Sequence, residues 1–162
     1  RPHKNFGRVR AAFEGLVREQ AYPGKLLAVG ISNGNDSSEL AGRIIYLPSC
    51  NDAELASLYS SADLLAAPSL YEGFGLPVLE AMACGCPVLI GQEGALPEIA
   101  GEAGLIVDPY KTEAILEGFK KILFQPDLRQ TLKSKGLIRA ARFSWERSVK
   151  KVLELYTTIQ EG

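Results

Sequence analysis

Short apolar runs alternate along this chain with segments of helical period, and that alternation limits the fold more than any other feature. The runs are residues 25–30 (KLLAVG), 43–47 (RIIYL), 63–68 (DLLAAP), 87–91 (PVLIG) and 104–107 (GLIV). Each is apolar at successive positions and so on both faces, which is what strands of a parallel sheet covered by helices require. The segments between them read as helices over residues 6–20, 52–61, 77–83, 96–100, 112–124, 127–139 and 144–160. In the first, Phe6, Val9, Phe13, Leu16 and Val17 share a stripe. Asn5 and Asp52 are the expected N-caps of the first two helices. Pro77 is expected at the first position of the third helix, with Gly85 near its stop. Strand–helix alternation implies right-handed crossovers and an α/β fold: a Rossmann-like, doubly wound parallel sheet with helices on both faces. Such a domain normally begins with a central strand. Here the first helix starts at about residue 5, so the first strand is expected to lie outside this sequence.

Composition narrows the function classes. At 162 residues, with no repeat, low-complexity tract or dividing linker, residues 1–162 read as one domain. Eighteen Lys+Arg against nineteen Asp+Glu give a net charge of −1, which argues against general nucleic-acid binding. No apolar stretch approaches the roughly 20 residues of a membrane span, and the opening Arg1-Pro2-His3-Lys4 does not read as a secretory leader. Three cysteines, Cys50, Cys84 and Cys86, cannot form an even disulfide framework, and one histidine does not complete a zinc site. They read as reduced thiols in a cytoplasmic protein. Residues 31–40 (ISNGNDSSEL) read as a mobile polar loop.

Ligands of open α/β sheets bind beyond the carboxyl ends of the strands. Three loops fall there: residues 1–5 (RPHKN), 47–52 (LPSCND) and 69–77 (SLYEGFGLP). In the third, Gly73 and Gly75 permit close backbone approach or positive φ, and the loop opens a helix whose first N–H groups suit a phosphate or sugar oxygen. Glu72 in the loop and Glu80 one turn into the helix are charged acceptors for ligand hydroxyls, and Lys4 supplies a cation for a diphosphate. Each feature alone has an ordinary explanation: a tight turn, a solvent-facing glutamate, a surface lysine, or Tyr71 and Phe74 packing over the sheet edge. No G-x-G-x-x-G follows a strand, since Val78 stands where the third glycine would be. There is also no phosphate loop ending in G-K-[ST], no G-x-S-x-G elbow, and no D-x-D pair to hold a metal against a diphosphate.

The block at residues 68–88, PSLYEGFGLPVLEAMACGCPV, closely resembles the signature of retaining glycosyltransferases of family four. Those enzymes have the GT-B architecture, two Rossmann-like domains facing across a cleft. The family's two glutamates separated by seven residues are matched by Glu72 and Glu80. RPHKN, DAELASLYSSADLLAAPS, ALPEIAGEAGLIVDP and the late FSW fit in order, so the resemblance covers almost the whole chain, as a C-terminal donor-binding domain. It implies that Glu72 binds hydroxyls of the transferred sugar and that Gly73, Phe74, Gly75 and Leu76 offer backbone N–H groups to the sugar and diphosphate. Glu80 would take the ribose hydroxyls, and Lys4 would stabilise the leaving diphosphate, with Arg1 as the nearest assisting arginine. Leu47, Pro48 and Ser49 would lie near the base. Glu98 would be structural or indirectly catalytic.

The resemblance further implies transfer with retention and without metal or other cofactor, the nucleotide-sugar being a co-substrate. Glu72 and Glu80 are then positioning groups and not an acid/nucleophile pair. Mannosyltransferase-type members that build bacterial surface polysaccharides look most similar, which favours GDP-mannose over UDP- or ADP-sugars. The acceptor, a glycan or a lipid-linked glycan, would be held by an N-terminal domain outside this chain, and without that domain little turnover is expected. The last helix, with Val149, Val152, Leu153, Tyr156 and Ile159, would contribute to the domain interface. The implied location is cytoplasmic, leaving room for peripheral contact of the full-length enzyme with the inner face of the membrane. A GT-B nucleotide-sugar epimerase and a non-catalytic nucleotide-sugar-binding module are the alternatives.

Overall fold

A computed structural model describes residues 2–20, 22–31 and 40–160, the last three of these by backbone alone. Arg1 and most of the 31–40 loop, for which mobility was expected, lie outside the described residues. Five strands are present: β1 (Leu26–Val29), β2 (Ile44–Leu47), β3 (Leu65–Ala67), β4 (Val88–Gly91) and β5 (Gly104–Val107). They alternate with helices α1 (Phe6–Gln20), α2 (Asp52–Ser61), α3 (Leu76–Ala83), α4 (Leu96–Ala100), α5 (Thr112–Phe124), α6 (Pro126–Ala140) and α7 (Trp145–Gln160).

Every strand pair is parallel, as the apolar runs require. The strands fall, however, into two sheets: β1-β2, and β3-β4-β5 with β4 in the middle. Leu26 stands opposite Ile44, Leu65 opposite Val88, and Val88 opposite Gly104. β4 is buried along its whole length. Its Leu89 joins Val9, Phe13 and Leu16 of α1 and Ile115, Phe119 and Ile122 of α5 in one cluster. Its Val88 and Ile90 join Tyr59, Val78, Met82 and Leu96 in another, on the opposite face. Helices therefore cover both faces, and each fully buried Leu, Ile or Phe contributes about 1.5–3 kcal/mol.

Three local expectations are corrected. The N-cap of α2 is Asn51, not Asp52: its side chain accepts from the Glu54 N–H, and Glu54 reaches back to the Asn51 N–H, closing a capping box. Asn5 does not cap α1 with its side chain; it sits at φ 59° and spends its amide elsewhere. Helix α3 begins at Leu76, so Pro77 is its second residue, after the left-handed Gly75 (φ 99°).

All described side chains of α7 are exposed, including the stripe Trp145, Val149, Val152, Leu153 and Tyr156; that of Ile159 lies outside the description. No helix among the described residues is long and apolar enough to cross a membrane.

Candidate functional site

The loop after β3 and the turn before α1 meet at the carboxyl ends of the strands. A 3-10 turn, Pro2–Lys4, delivers Lys4, whose ammonium pairs with the Glu72 carboxylate. The Ser69 hydroxyl, on a buried residue, donates to the same Glu72 oxygen at 2.9 Å. Burial of Glu72 alone would raise its pKa, but the hydrogen bonds from Lys4 and Ser69 and the charges of Lys4 and His3 outweigh it and hold the carboxyl below its ordinary value. Glu72 is thus an anion already carrying two donors.

The backbone around this pair is tied down on three sides. The Leu70 N–H donates to the His3 carbonyl at 2.8 Å, and the Ala95 N–H to the Glu72 carbonyl at 3.0 Å. Gly94, at φ 68°, passes so close that a Cβ there would lie 2.8 Å from the Glu72 carbonyl oxygen. Asn5, buried beside Lys4, is the third tie. Its amide nitrogen donates to the carbonyls of Pro68 at 2.9 Å and Pro109 at 2.7 Å. Its oxygen accepts from Arg8 Nη1 at 3.0 Å, and Arg8 Nε donates to the Tyr110 carbonyl. One side chain therefore clamps the Lys4 turn to the loops that follow β3 and β5.

Lys4, Ser69, Glu72, Gly75 and Glu80 line a single groove. Glu80 is exposed, one turn into α3, and hydrogen-bonds the Tyr59 hydroxyl of α2. Burial, and after it the Glu80 charge, push the Tyr59 pKa above the tyrosine range, so this hydroxyl stays a donor. Gly75 needs its glycine: its φ is positive, and a Cβ would run into the Leu96 side chain. Gly73 has no such need, since a Cβ there would meet open space.

Gly73, Phe74 and Leu76 sit in the same loop and helix start as Glu72 and Gly75 and are exposed. Phe74 stacks edge-on with Phe143, ring centres 6.4 Å apart. Leu47 and Ser49 border a separate cavity with Cys50, Ala53, Glu54 and Ser57; among the described residues only Leu58 borders both. Pro48 follows β2 between them and lines neither cavity. Arg1 lies outside the described residues. Glu98 is exposed in the first turn of α4. No group of three or more His, Cys, Asp or Glu among the described residues is placed to hold a metal ion, and the cysteines are free thiols.

Ser69, Asn5 and Tyr59 escaped the sequence reading. Ser69 stands three residues before Glu72, a spacing at which a hydroxyl can reach a loop carboxylate. The capping propensity of Asn5 is a local signal, and nothing local tells of carbonyls more than sixty residues away.

Comparison with known proteins converges on one group. The family model for "Glycosyl transferases group 1" matches residues 1–139. The chain is 34% identical over 163 residues to the O-antigen chain mannosyltransferase B of Escherichia coli, covering 96% of this chain and 43% of that protein. It is 33% identical over 162 residues to the D-inositol 3-phosphate glycosyltransferase of Rhodococcus opacus (strain B4), covering 91% and 36%. Among solved structures it resembles the sucrose-phosphate synthase of Thermosynechococcus elongatus, at TM-score 0.84 and 30% identity over 99% of this chain and 43% of that one. It also resembles the C-terminal domain of a glycosyl transferase group 1 family protein from Francisella tularensis, at TM-score 0.71 and 25% identity over 88% and 80%. The chain spans about two-fifths of the length of the curated relatives it matches.

Proposed function

The chain belongs to the group 1 glycosyl transferases, and from that membership we propose that it is the donor-binding half of a two-domain GT-B enzyme. The reaction is transfer of a sugar from a nucleotide-sugar to a glycan or lipid-linked acceptor, with retention and without metal. One observation carries the reading: a lysine, two glutamates and the start of α3 face one groove at the carboxyl ends of the strands. Similarity to an O-antigen mannosyltransferase favours GDP-mannose and synthesis of a surface polysaccharide; UDP- and ADP-sugars are the competing donors. The acceptor binds the preceding domain, so this part alone turns over little, and the work is done in the cytoplasm.

The chemistry follows from charge. In the free protein Lys4 and Glu72 satisfy one another. An arriving diphosphate competes for the ammonium, and sugar hydroxyls donate to the freed carboxylate oxygen while Ser69 keeps its own bond to Glu72. Lys4 then opposes the charge that grows on the departing phosphate, a stabilisation strongest when the bond is breaking. Glu80, steadied by Tyr59, accepts from ribose hydroxyls. Neither glutamate need form a bond to the sugar; both hold it in a reactive pose.

Calorimetry of GDP-, UDP- and ADP-sugars on the full-length polypeptide tests the donor. Tightest binding of GDP-mannose and turnover unaffected by chelator are expected. No affinity for any nucleotide-sugar, or a strict metal requirement, would refute the corresponding claim.

A further inference from the structure

Helix α6 packs directly on α3, the helix that carries Glu80. A Cβ at Gly136 would lie 3.3 Å from Cγ of the buried Met82. Beyond Gly136 the same helix presents Arg139 to α4. Arg139 Nε donates to the Ile99 carbonyl at 2.9 Å and Nη2 to the Glu98 carbonyl at 2.6 Å. The last carbonyls of a helix have no partner within it, and a cation suits that end. The guanidinium carbon also lies 5.1 Å from the centre of the Phe143 ring, a cation–π contact. Phe143 follows α6, its N–H on the Ala140 carbonyl at 3.0 Å, and its ring meets that of Phe74 edge-on. One guanidinium is thus joined to α4 and, through a second ring, to Phe74.

Both routes end on the loop that holds Glu72. Phe74 lies two residues after Glu72. Ala95, just before α4, donates its N–H to the Glu72 carbonyl at 3.0 Å, and Leu96 fills the space that a Cβ on Gly75 would need. Between its two glycines the loop has little conformational preference of its own, and Gly73 stands in open space. Among the described residues Phe74 and Phe143 belong to neither apolar cluster, and Phe74 is 45% exposed. Their contact therefore sets where the loop lies more than it enlarges the core.

We propose that Arg139 and Phe143 are positioning residues of the donor site: from outside the groove they brace the loop of Phe74 and the start of α4, and so keep Glu72 within reach of Lys4 and Ser69. The inference rests on the reading of the groove as a nucleotide-sugar site. Neither residue lines the groove, so each acts through the loop and not on the ligand. The brace serves one end of the site. Glu80 and its partner Tyr59 lie on α3 and α2, outside both routes, so the ribose end is held without it. Arg139 and Phe143 therefore govern how well the sugar is placed for transfer, and leave the affinity for the nucleotide alone.

Three variants of the full-length polypeptide test this: Phe143→Leu removes the ring, Phe143→Tyr keeps it, and Arg139→Gln removes the cation. The first readout is nuclear magnetic resonance and needs no donor. In the parent the Glu72 carboxyl titrates below its ordinary 4.5 because Lys4 and Ser69 hydrogen-bond it. Phe143→Leu and Arg139→Gln should move that midpoint up toward 4.5 and speed exchange of the Ala95 amide about tenfold; Phe143→Tyr should restore both. The second readout is kinetic. Phe143→Leu and Arg139→Gln should lower kcat for sugar transfer about tenfold, with the affinity for nucleoside diphosphate within about twofold of the parent. A parent-like Glu72 midpoint and Ala95 exchange in Phe143→Leu would overturn the proposal. So would a tyrosine variant as impaired as the leucine one, or nucleotide affinity falling in step with transfer, either of which means general loosening. A parent that transfers no sugar, with the resonance effects as expected, would refute the nucleotide-sugar reading and leave the brace standing.

Discussion

Replacing Asn5 tests the claim that one buried amide holds the Lys4 turn against the rest of the site. Besides the part-buried bond from Arg8, which water can replace, Asn5→Ala deletes two buried hydrogen bonds, to the carbonyls of Pro68 and Pro109. Each is worth about 1 kcal/mol net. It also places a residue with a Cβ and no local polar compensation at φ 59°, which adds roughly 1 kcal/mol. The expected loss is about 3 kcal/mol. Asn5→Gly loses the same bonds without the left-handed penalty, for about 2 kcal/mol. With a urea m-value of about 2 kcal/mol/M, the midpoints should fall by about 1.5 M and 1 M respectively. Far-UV circular dichroism reads the transition; Trp145 fluorescence would not, because that ring is exposed on α7. A loss below about 0.5 kcal/mol for Asn5→Ala would refute the clamp. A glycine variant no more stable than the alanine variant would refute the backbone part of the reasoning.

Glu72 titrates below its ordinary 4.5, so its pairing stabilises the protein above that pH and is lost as pH falls through the folded value. Lys4→Met removes the hydrogen bond and the charge that Lys4 contributes, and the Glu72 carboxyl-carbon shift should then titrate higher; an unmoved midpoint contradicts the pairing. Glu80→Ala should weaken binding of free nucleoside diphosphate, while Glu72→Ala should impair sugar transfer more than nucleotide binding. Calorimetry beside a transfer assay separates them, and the reverse order sinks both roles. Gly94→Ala forces a Cβ at φ 68° against the Glu72 carbonyl and should cost about 2 kcal/mol or more in thermal or urea unfolding; a neutral variant would show that the two loops separate easily.

Most of the elements were legible because their signals are local. KLLAVG, RIIYL and PVLIG are apolar at consecutive positions, which marks short strands; PVLIG is covered on both faces as β4, whereas Leu27 and Val29 of β1 are exposed. The EGFGLP turn announced Gly75 as a special backbone position, and the spacing of Glu72 and Glu80 placed two carboxylates near one helix start. What failed locally failed by competition. Asn51 and Asp52 are both good caps, and Asn51 is the one with Glu54 three residues on to complete a capping box. Leu47 and Ser49, expected near the base from the family resemblance, border a cavity other than the groove.

The residues by themselves determined a parallel α/β layering and the loop that carries the two glutamates, since hydrophobic period and turn chemistry act over a few neighbours. Only the tertiary structure decided that Lys4 reaches Glu72, that Tyr59 steadies Glu80, and that the strands stand as two sheets with a groove between them. Those outcomes depend on which segments distant in sequence come to lie side by side. That is settled by the shared burial of α1, α5 and β4 and by backbone groups seeking partners across the fold, and no window along the chain contains both sides of such a contact.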